Sequence, residues 1–485
     1  MSRQAPCDDD PVSQRLSALD SSFLYLEDAT LPMHVGSVMI FEPPRDGFDY
    51  DSLVELIAER IASSPRYRQR VQSVPARLAN PVWVDDEDFD LTYHVRRSAL
   101  PRPGDDEQLE EFVARITSRP LDRSRPLWEL YFVEGLTDGR FAIVSKAHQS
   151  LVDGINAVDV GHLLLDPDGV HPDEETRRPT GSPSPLRLVA DAVMDSVRRP
   201  SQVADNVRGG LRDVSETGRR ALGLAGGLVS TLAQVGTRPA PQSPLDVTVS
   251  GTRRWVMVRT DLADYRRIRT SLTRGRYVED VTINDVVLAT ITGALRTWMQ
   301  NRGEHLGSTA VIRVMVPVSV YDESGDHRSG SRLTACFVDL PVGEASPSMR
   351  LHQIAFSMRQ QMETTQAVDA ASLSSLGGFA PPTLHSLGAR TGAAMTRRLF
   401  NLVVTNVPGP QQPLYAGGAR LLATYPVMPL SRGQALAVGL TSYDGSVYFG
   451  LNADRLAMPD LDVLAQAVDE ALAELRESPR GGGRS

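Results

Sequence analysis

Apolar positions recur along the chain at two periods. Leu53, Leu56, Ile57 and Ile61 follow the three-four spacing of a helix face, whereas Trp128–Val133 and Phe141–Ala147 are short apolar runs that predict strands joined by a turn at Asp138-Gly139. This α+β texture fills residues 12–165, the first lobe. A second lobe, 246–476, repeats it. There Arg313–Ser319, Ala335–Leu340, Leu402–Thr405, Ala435–Ser442 and Val447–Leu451 predict strands, while Asn284–Gln300 and Met349–Thr365 predict helices. Residues 477–485 predict a disordered tail.

Between the lobes, residues 166–245 turn to Pro, Gly, Arg and Ser, including Pro179-Thr180-Gly181-Ser182-Pro183 and Arg238-Pro239-Ala240-Pro241, the texture of a bridge. Residues 186–235 within it can form helices, and 177–238 carries ten Arg against five Asp or Glu. Its apolar stripe, Leu224, Leu228 and Leu232, is too short to cross a bilayer. It suits a helix lying in a membrane interface, and equally a linker helix packed on its own lobes.

A length of 485 residues exceeds one ordinary core and predicts two or three domains; 41% hydrophobic and 23% charged residues describe a globular protein. The net charge of −9 argues against nucleic acid as a main partner, which would demand a basic face. Lys146 is the only lysine, a bias toward Arg that a GC-rich genome explains. Two cysteines, Cys7 and Cys336, make neither a disulfide framework nor a zinc site, which predicts a reducing, cytoplasmic setting. Met1 to Asp10 lacks the apolar stretch of a signal peptide, and no run approaches 18 apolar residues.

Candidate chemistry concentrates in His148-Gln149-Ser150-Leu151-Val152-Asp153-Gly154, a loop between the strand Phe141–Ala147 and the helix-like stretch Ile155–Leu165. A polar loop at a strand end is by itself an ordinary connection. This one resembles the HHxxxDG signature of the condensation-type acyltransferases, including the bacterial wax ester synthase/diacylglycerol acyltransferases. The resemblance covers nearly the whole chain. It runs from Leu16-Ser17-Ala18-Leu19-Asp20, Phe23-Leu24-Tyr25-Leu26-Glu27 and Pro32-Met33-His34-Val35-Gly36, through Arg119-Pro120-Leu121-Asp122 and Arg125-Pro126-Leu127-Trp128. It continues at Asn284-Asp285-Val286-Val287-Leu288-Ala289, Val316-Pro317-Val318-Ser319 and Thr405-Asn406-Val407-Pro408-Gly409-Pro410, and ends at Tyr443-Asp444-Gly445.

The resemblance implies two chloramphenicol-acetyltransferase-like lobes in a V-shaped pair, with a channel between them that His148 faces from a strand end. It implies acyl-CoA as cosubstrate and no other cofactor, with diacylglycerol or a fatty alcohol as acceptor and peripheral contact with a membrane or lipid droplet. It further implies that the second His of the signature is the general base, while the first His, here His148, and Asp153, followed by Gly154, hold the loop. Gln149 stands where that base belongs. An amide cannot hold a proton near neutral pH, so the usual mechanism is in question, and His148 replaces the base only if the loop turns it into the channel.

Asn284-Asp285 matches the family's Asn-Asp motif beside the signature loop, yet Thr282 and Asp285 also form a capping box for the following helix, whose stripe is Ile283, Val287, Ile291, Leu295 and Trp298. Trp128 fits a core position, and Asn406-Val407-Pro408-Gly409-Pro410 fits a rigid turn or crossover. Three functions remain: an acyl-CoA-dependent O-acyltransferase, a pseudoenzyme that binds acyl chains without turnover, and a carrier-dependent condensation enzyme, which the lipid-type motifs disfavour.

Overall fold

The computed structural model describes residues 15–62, 64–75, 80–152, 161–166, 239–273, 281–320, 332–363 and 399–478. Two six-stranded sheets organise them. In the first lobe β1 (His34–Glu42), β4 (Val95–Ala99), β5 (Trp128–Glu134) and β6 (Phe141–His148) form a sheet, beside a two-stranded ribbon of β2 (Gln69–Gln72) and β3 (Val82–Asp85). The helices of this lobe are α1 (Ala18–Leu26), α2 (Tyr50–Ala62), the single turn α3 (Leu91–His94), α4 (Asp106–Thr117) and the single turn α5 (Gln149–Val152). The expected stripe of α2 is buried as read: Leu53, Leu56, Ile57 and Ile61. The turn before β6 places Asp138 and Gly139 at φ 61° and 72°, the left-handed region that Asp and Gly tolerate best.

The second sheet runs in the order β7 (Arg253–Asp261), β14 (Ser446–Asp454), β13 (Leu436–Tyr443), β10 (Leu402–Pro408), β8 (Ile312–Val320) and β9 (Arg332–Leu340). Its helices are α6 (Leu262–Thr273), α7 (Ile283–Asn301), α8 (Pro347–Glu363) and α9 (Leu461–Glu477). The capping box is present: Asp285 donates its backbone N–H to the Thr282 hydroxyl, and its carboxylate accepts the Thr282 N–H in return. Val287, Ile291, Leu295 and Trp298 of α7 then pack with Val438, Leu440 and Phe449 of the sheet and Val468 and Leu472 of α9. Every strand and helix expected in this lobe is found, with ends within about four residues.

The first sheet is completed from far along the chain. Its order is β11-β12-β1-β6-β5-β4, where β11 is Tyr415–Ala416 and β12 is Ala419–Val427. Two of its six strands thus come from beyond residue 400, which a division of the chain at 165 and 246 does not express. Asn406-Val407-Pro408-Gly409-Pro410 ends β10 and begins the crossover between sheets. Of the expected bridge, 167–238 lies outside the described residues, as does the tail from 479 on.

While β12 pairs with β1 in the first sheet, its side lies on the second. Gly439 of β13 and Gly450 of β14 are register partners, so their missing side chains leave one notch on the sheet face. Pro426 of β12 crosses there: a Cβ on Gly450 would sit 1.8 Å from the Pro426 carbonyl oxygen, and one on Gly439 would sit 2.9 Å from the Pro426 Cβ. Flanking side chains grip the crossing strand by its carbonyls. Tyr443 donates to Leu421 O and Tyr448 to Leu422 O, both at 3.0 Å, and Asn452 Nδ2 donates to Met428 O at 2.6 Å.

A second seam lies between α4 and the edge strand β7. Glu110 accepts the Met257 backbone N–H at 2.8 Å, and burial pushes its carboxyl up to about 7. Arg455 pairs with Glu111 at 2.9 Å, and Arg432 with Asp28 at 2.6 Å. The notch carries a direct test. Gly450→Ala is expected to destabilise the protein by at least about 1–3 kcal/mol, the usual range of overpacking. Gly307→Ala, whose added Cβ meets nothing within 4 Å, is expected to change little. Urea unfolding compares the two, and equal midpoints would contradict the crossing.

Candidate active site

The end of β6 carries an unusual row for a sheet interior. His148 pairs in register with His34 of β1, and Lys146 with Glu129 of β5. Residues two apart on a strand share a face, so four ionisable side chains gather on one buried layer: His34 is 3%, Lys146 1%, His148 1% and Glu129 6% exposed. Such groups persist only with partners. Lys146 Nζ donates to the Arg119 carbonyl oxygen at 2.7 Å and lies 3.3 Å from Glu129 Oε2. Glu129 also accepts from the Tyr131 hydroxyl at 2.7 Å and from Arg96 at 3.0 Å. Burial lowers the Lys146 pKa, and the Glu129 carboxylate works against that shift. The chain's sole lysine thus occupies a place where a compact ammonium reaches two acceptors at once, a task for which the larger planar guanidinium is less suited.

His148 turns its ring back onto its own loop. Its Nδ1 accepts the Ser150 backbone N–H at 3.1 Å and lies 2.7 Å from the Ser150 hydroxyl, so the ring caps the single turn α5. With Nδ1 engaged as an acceptor, the hydrogen-bond pattern assigns the neutral ring's proton to Nε2. That nitrogen lies 3.7 Å from Glu27 Oε2 and makes no hydrogen bond. Burial, aided by the Arg123 charge, lowers the His148 pKa to about 3. Although Glu27 is close, Arg123 neutralises it through contacts at 3.0 and 2.5 Å, so desolvation of the ring prevails. His148 ends a strand, as expected; its ring is buried, and its Nδ1 lone pair is spent on α5. Ser150, 4% exposed, belongs to the same lock.

Gln149 differs from its neighbour. It is half-buried, its backbone N–H donates to Met33 O at 2.8 Å, and its side-chain amide makes no hydrogen bond among the described residues. Asp153 and Gly154 lie outside the described residues. Asn284 is half-buried in the first turn of α7, where its Oδ1 accepts from Asn406 Nδ2 at 3.1 Å. No hydrogen bond joins His148 or Gln149 to Asn284. Trp128 is core, its indole N–H donating to Tyr67 O at 2.7 Å. Sequence reasoning did not assign roles to Glu27, His34, Arg123 or Asn406. Two signals were present: a carboxylate at the end of an apolar helix, and a lone lysine in an arginine-rich chain.

With this geometry in place, comparison with known proteins is decisive. A family model described as the wax ester synthase/diacylglycerol acyltransferase catalytic domain matches residues 16–287, and one for the WS/DGAT C-terminal domain matches 329–476. The chain belongs to this family. A probable diacylglycerol O-acyltransferase, tgs2, of Mycobacterium tuberculosis is 34% identical over 478 residues, 95% of this chain and 98% of the relative. A second from that organism, tgs3, is 47% identical over 264 residues, 53% of this chain and 95% of the relative. The solved wax ester synthase/diacylglycerol acyltransferase of Marinobacter aquaeolei VT8 is 30% identical, with TM-score 0.65 over 95% of this chain and 98% of that one. The trichothecene 15-O-acetyltransferase of Fusarium sporotrichioides shares the fold, at 12% identity and TM-score 0.56 over 96% of each chain. As a WS/DGAT member the chain is an acyltransferase with the two-lobed fold expected from its motifs.

The buried ring makes stability depend on pH. Its folded pKa of about 3 lies below the unfolded value near 6.5, so between those values only the unfolded chain takes up the proton. Stability therefore falls as pH drops through that window, by up to about 1.4 kcal/mol per pH unit for this group. His148→Asn keeps an acceptor for the Ser150 N–H and is expected to flatten the dependence. Urea midpoints from pH 7 to 4 that fall as steeply in the variant would exclude His148 as the source.

Proposed function

We propose that this WS/DGAT chain transfers a long-chain acyl group from acyl-CoA to a lipid alcohol, diacylglycerol or a fatty alcohol, at a rate limited by Gln149. The alcohol oxygen attacks the thioester carbonyl carbon, the carbon–oxygen bond forms as the carbon–sulfur bond breaks, and the alcohol proton ends on the CoA sulfur. The thioester supplies the driving force, so the chemistry asks for no metal or redox partner. Acyl-CoA and the acceptor lipid are the partners this reading requires. The observation that carries it is the division of labour at residues 148 and 149: His148 is sealed into the loop, while Gln149 alone keeps an uncommitted side chain.

The Gln149 amide does not accept the alcohol proton. A positioned general base is typically worth about 10²–10⁴-fold, roughly 3–5.5 kcal/mol of barrier. Proximity and polar stabilisation survive its loss, so slow transfer is expected. Gln149→His is expected to raise kcat at least about tenfold, with a pH profile rising through about 6.5, while Gln149→Ala stays close to wild type. A radiolabelled acyl-CoA assay against a panel of alcohols reads both. The same observation favours one alternative, an acyl-lipid-binding pseudoenzyme: it prevails if all these variants stay at background while acyl-CoA still binds.

A lipid acceptor has to be collected at a membrane or droplet surface, and no helix of the described residues is long and apolar enough to cross a membrane. We assign the contact to the Arg-rich bridge with Leu224, Leu228 and Leu232, which pairs cationic and apolar character. Deleting 205–235 is expected to reduce sedimentation with anionic liposomes; unchanged binding by a folded variant would exclude the bridge.

A further inference from the structure

Glu27 stands where a carboxylate is doubly disfavoured. It is the C-cap of α1, facing the negative end of the helix dipole, and its side chain is only 6% exposed. Such a position is held by compensating contacts, and the contacts of Glu27 converge on the signature loop. Arg123, 49% exposed, clamps Oε2 with Nε at 3.0 Å and Nη2 at 2.5 Å, and also donates to Leu24 O at 2.9 Å. On the other oxygen, Oε1 accepts the Met33 backbone N–H at 3.3 Å and lies 3.5 Å from His34 Nε2. Met33 in turn offers its carbonyl to the Gln149 N–H at 2.8 Å, and the His148 N–H is held by Leu127 O at 2.9 Å.

We propose that Glu27 is a positioning residue for Gln149, acting through Met33 and not by touching substrate. The two polar groups of one peptide residue are divided between them: the Met33 N–H goes to the Glu27 carboxylate and its C=O to the Gln149 N–H. A charged acceptor on the N–H side fixes the Met33 backbone more firmly than a neutral one, because a hydrogen bond to an ionised group is stronger. The same carboxylate lies 3.7 Å from His148 Nε2 without a hydrogen bond, so its hold on the loop runs through Met33 to Gln149. Arg123 pairs with that acid and ties it to the Leu24 carbonyl of α1. The catalytic meaning of this support rests on the acyltransfer reading above; the support itself does not.

Glu27→Gln and Arg123→Ala in the full chain separate the two. Hydrogen–deuterium exchange of peptides spanning Met33 and 146–152 is expected to quicken about tenfold in Glu27→Gln. It should quicken less in Arg123→Ala, whose exposed side chain is removed without opening the core. Peptides from β13 and β14 should be unchanged in both. Exchange at the signature loop equal to wild type in both variants overturns the proposal; should Glu27→Gln not fold, the Arg123→Ala result decides in the same sense. In a Gln149→His background, adding Glu27→Gln is expected to lower kcat about tenfold with KM within about twofold, and Glu27→Asp to restore part of it. Faster exchange with no activity in any Gln149→His protein would refute the acyltransfer reading and leave the positioning role standing. A rise in KM alone would show Glu27 serving substrate binding and overturn its role as drawn here.

Discussion

The crossing of β12 over the paired glycines 439 and 450 governs the rest of the molecule. A strand that hydrogen-bonds in one sheet while lying flat on another fixes the distance and angle between them. At Gly450 the contact is backbone on backbone, and at Gly439 the Pro426 and Met428 side chains fill the notch, so neither glycine has room for a side chain. The Tyr443, Tyr448 and Asn452 side chains satisfy the carbonyls that the crossing would otherwise bury unpaired. The seam at α4 and β7 is of another kind, built from Glu110, Glu111 and their partners on side-chain contacts that can give.

Against that frame the buried polar layer under the signature loop is the molecule's least economical feature. An apolar sheet face would be more stable, since a buried ion pair rarely outweighs the desolvation of its members. Here Lys146, Glu129, Arg96, Glu27 and Arg123 are all satisfied by one another or by carbonyls, and what they surround is the turn from β6 into α5. Through Glu27 and Met33 this network holds the backbone on which Gln149 sits.

Much of this was legible in the chain. Strands such as β5, β6, β13 and β14 are continuous apolar runs, and the cap of α7 was explicit in Thr282 and Asp285. Seven strands were not read: the short β2, β3, β4 and β11, and three longer ones. β1 is broken by Gly36-Ser37, and a Cβ on Gly36 would meet the Ser145 carbonyl oxygen of β6 at 2.0 Å. β12 contains Pro426, a residue that argues against a central strand until the crossing is known, and β7 is interrupted by half-buried Arg254 and exposed Arg259. At the site, the motif located His148 and Gln149, but the ring's inward turn depends on a hydrogen bond two residues away that no periodicity encodes. Glu27 and Asn406 act through contacts with residues six to 122 positions distant, which single-sequence reasoning does not reach.

The late arrival of β12 also sets a schedule for biosynthesis. Until residue 427 has left the ribosome, β1 presents one bare edge of hydrogen-bonding groups, and a bare edge invites pairing with any other extended chain. Between β1 and the strand that closes this edge lie more than 370 residues of chain. A product stopped before β12 would carry that open edge as a standing aggregation hazard.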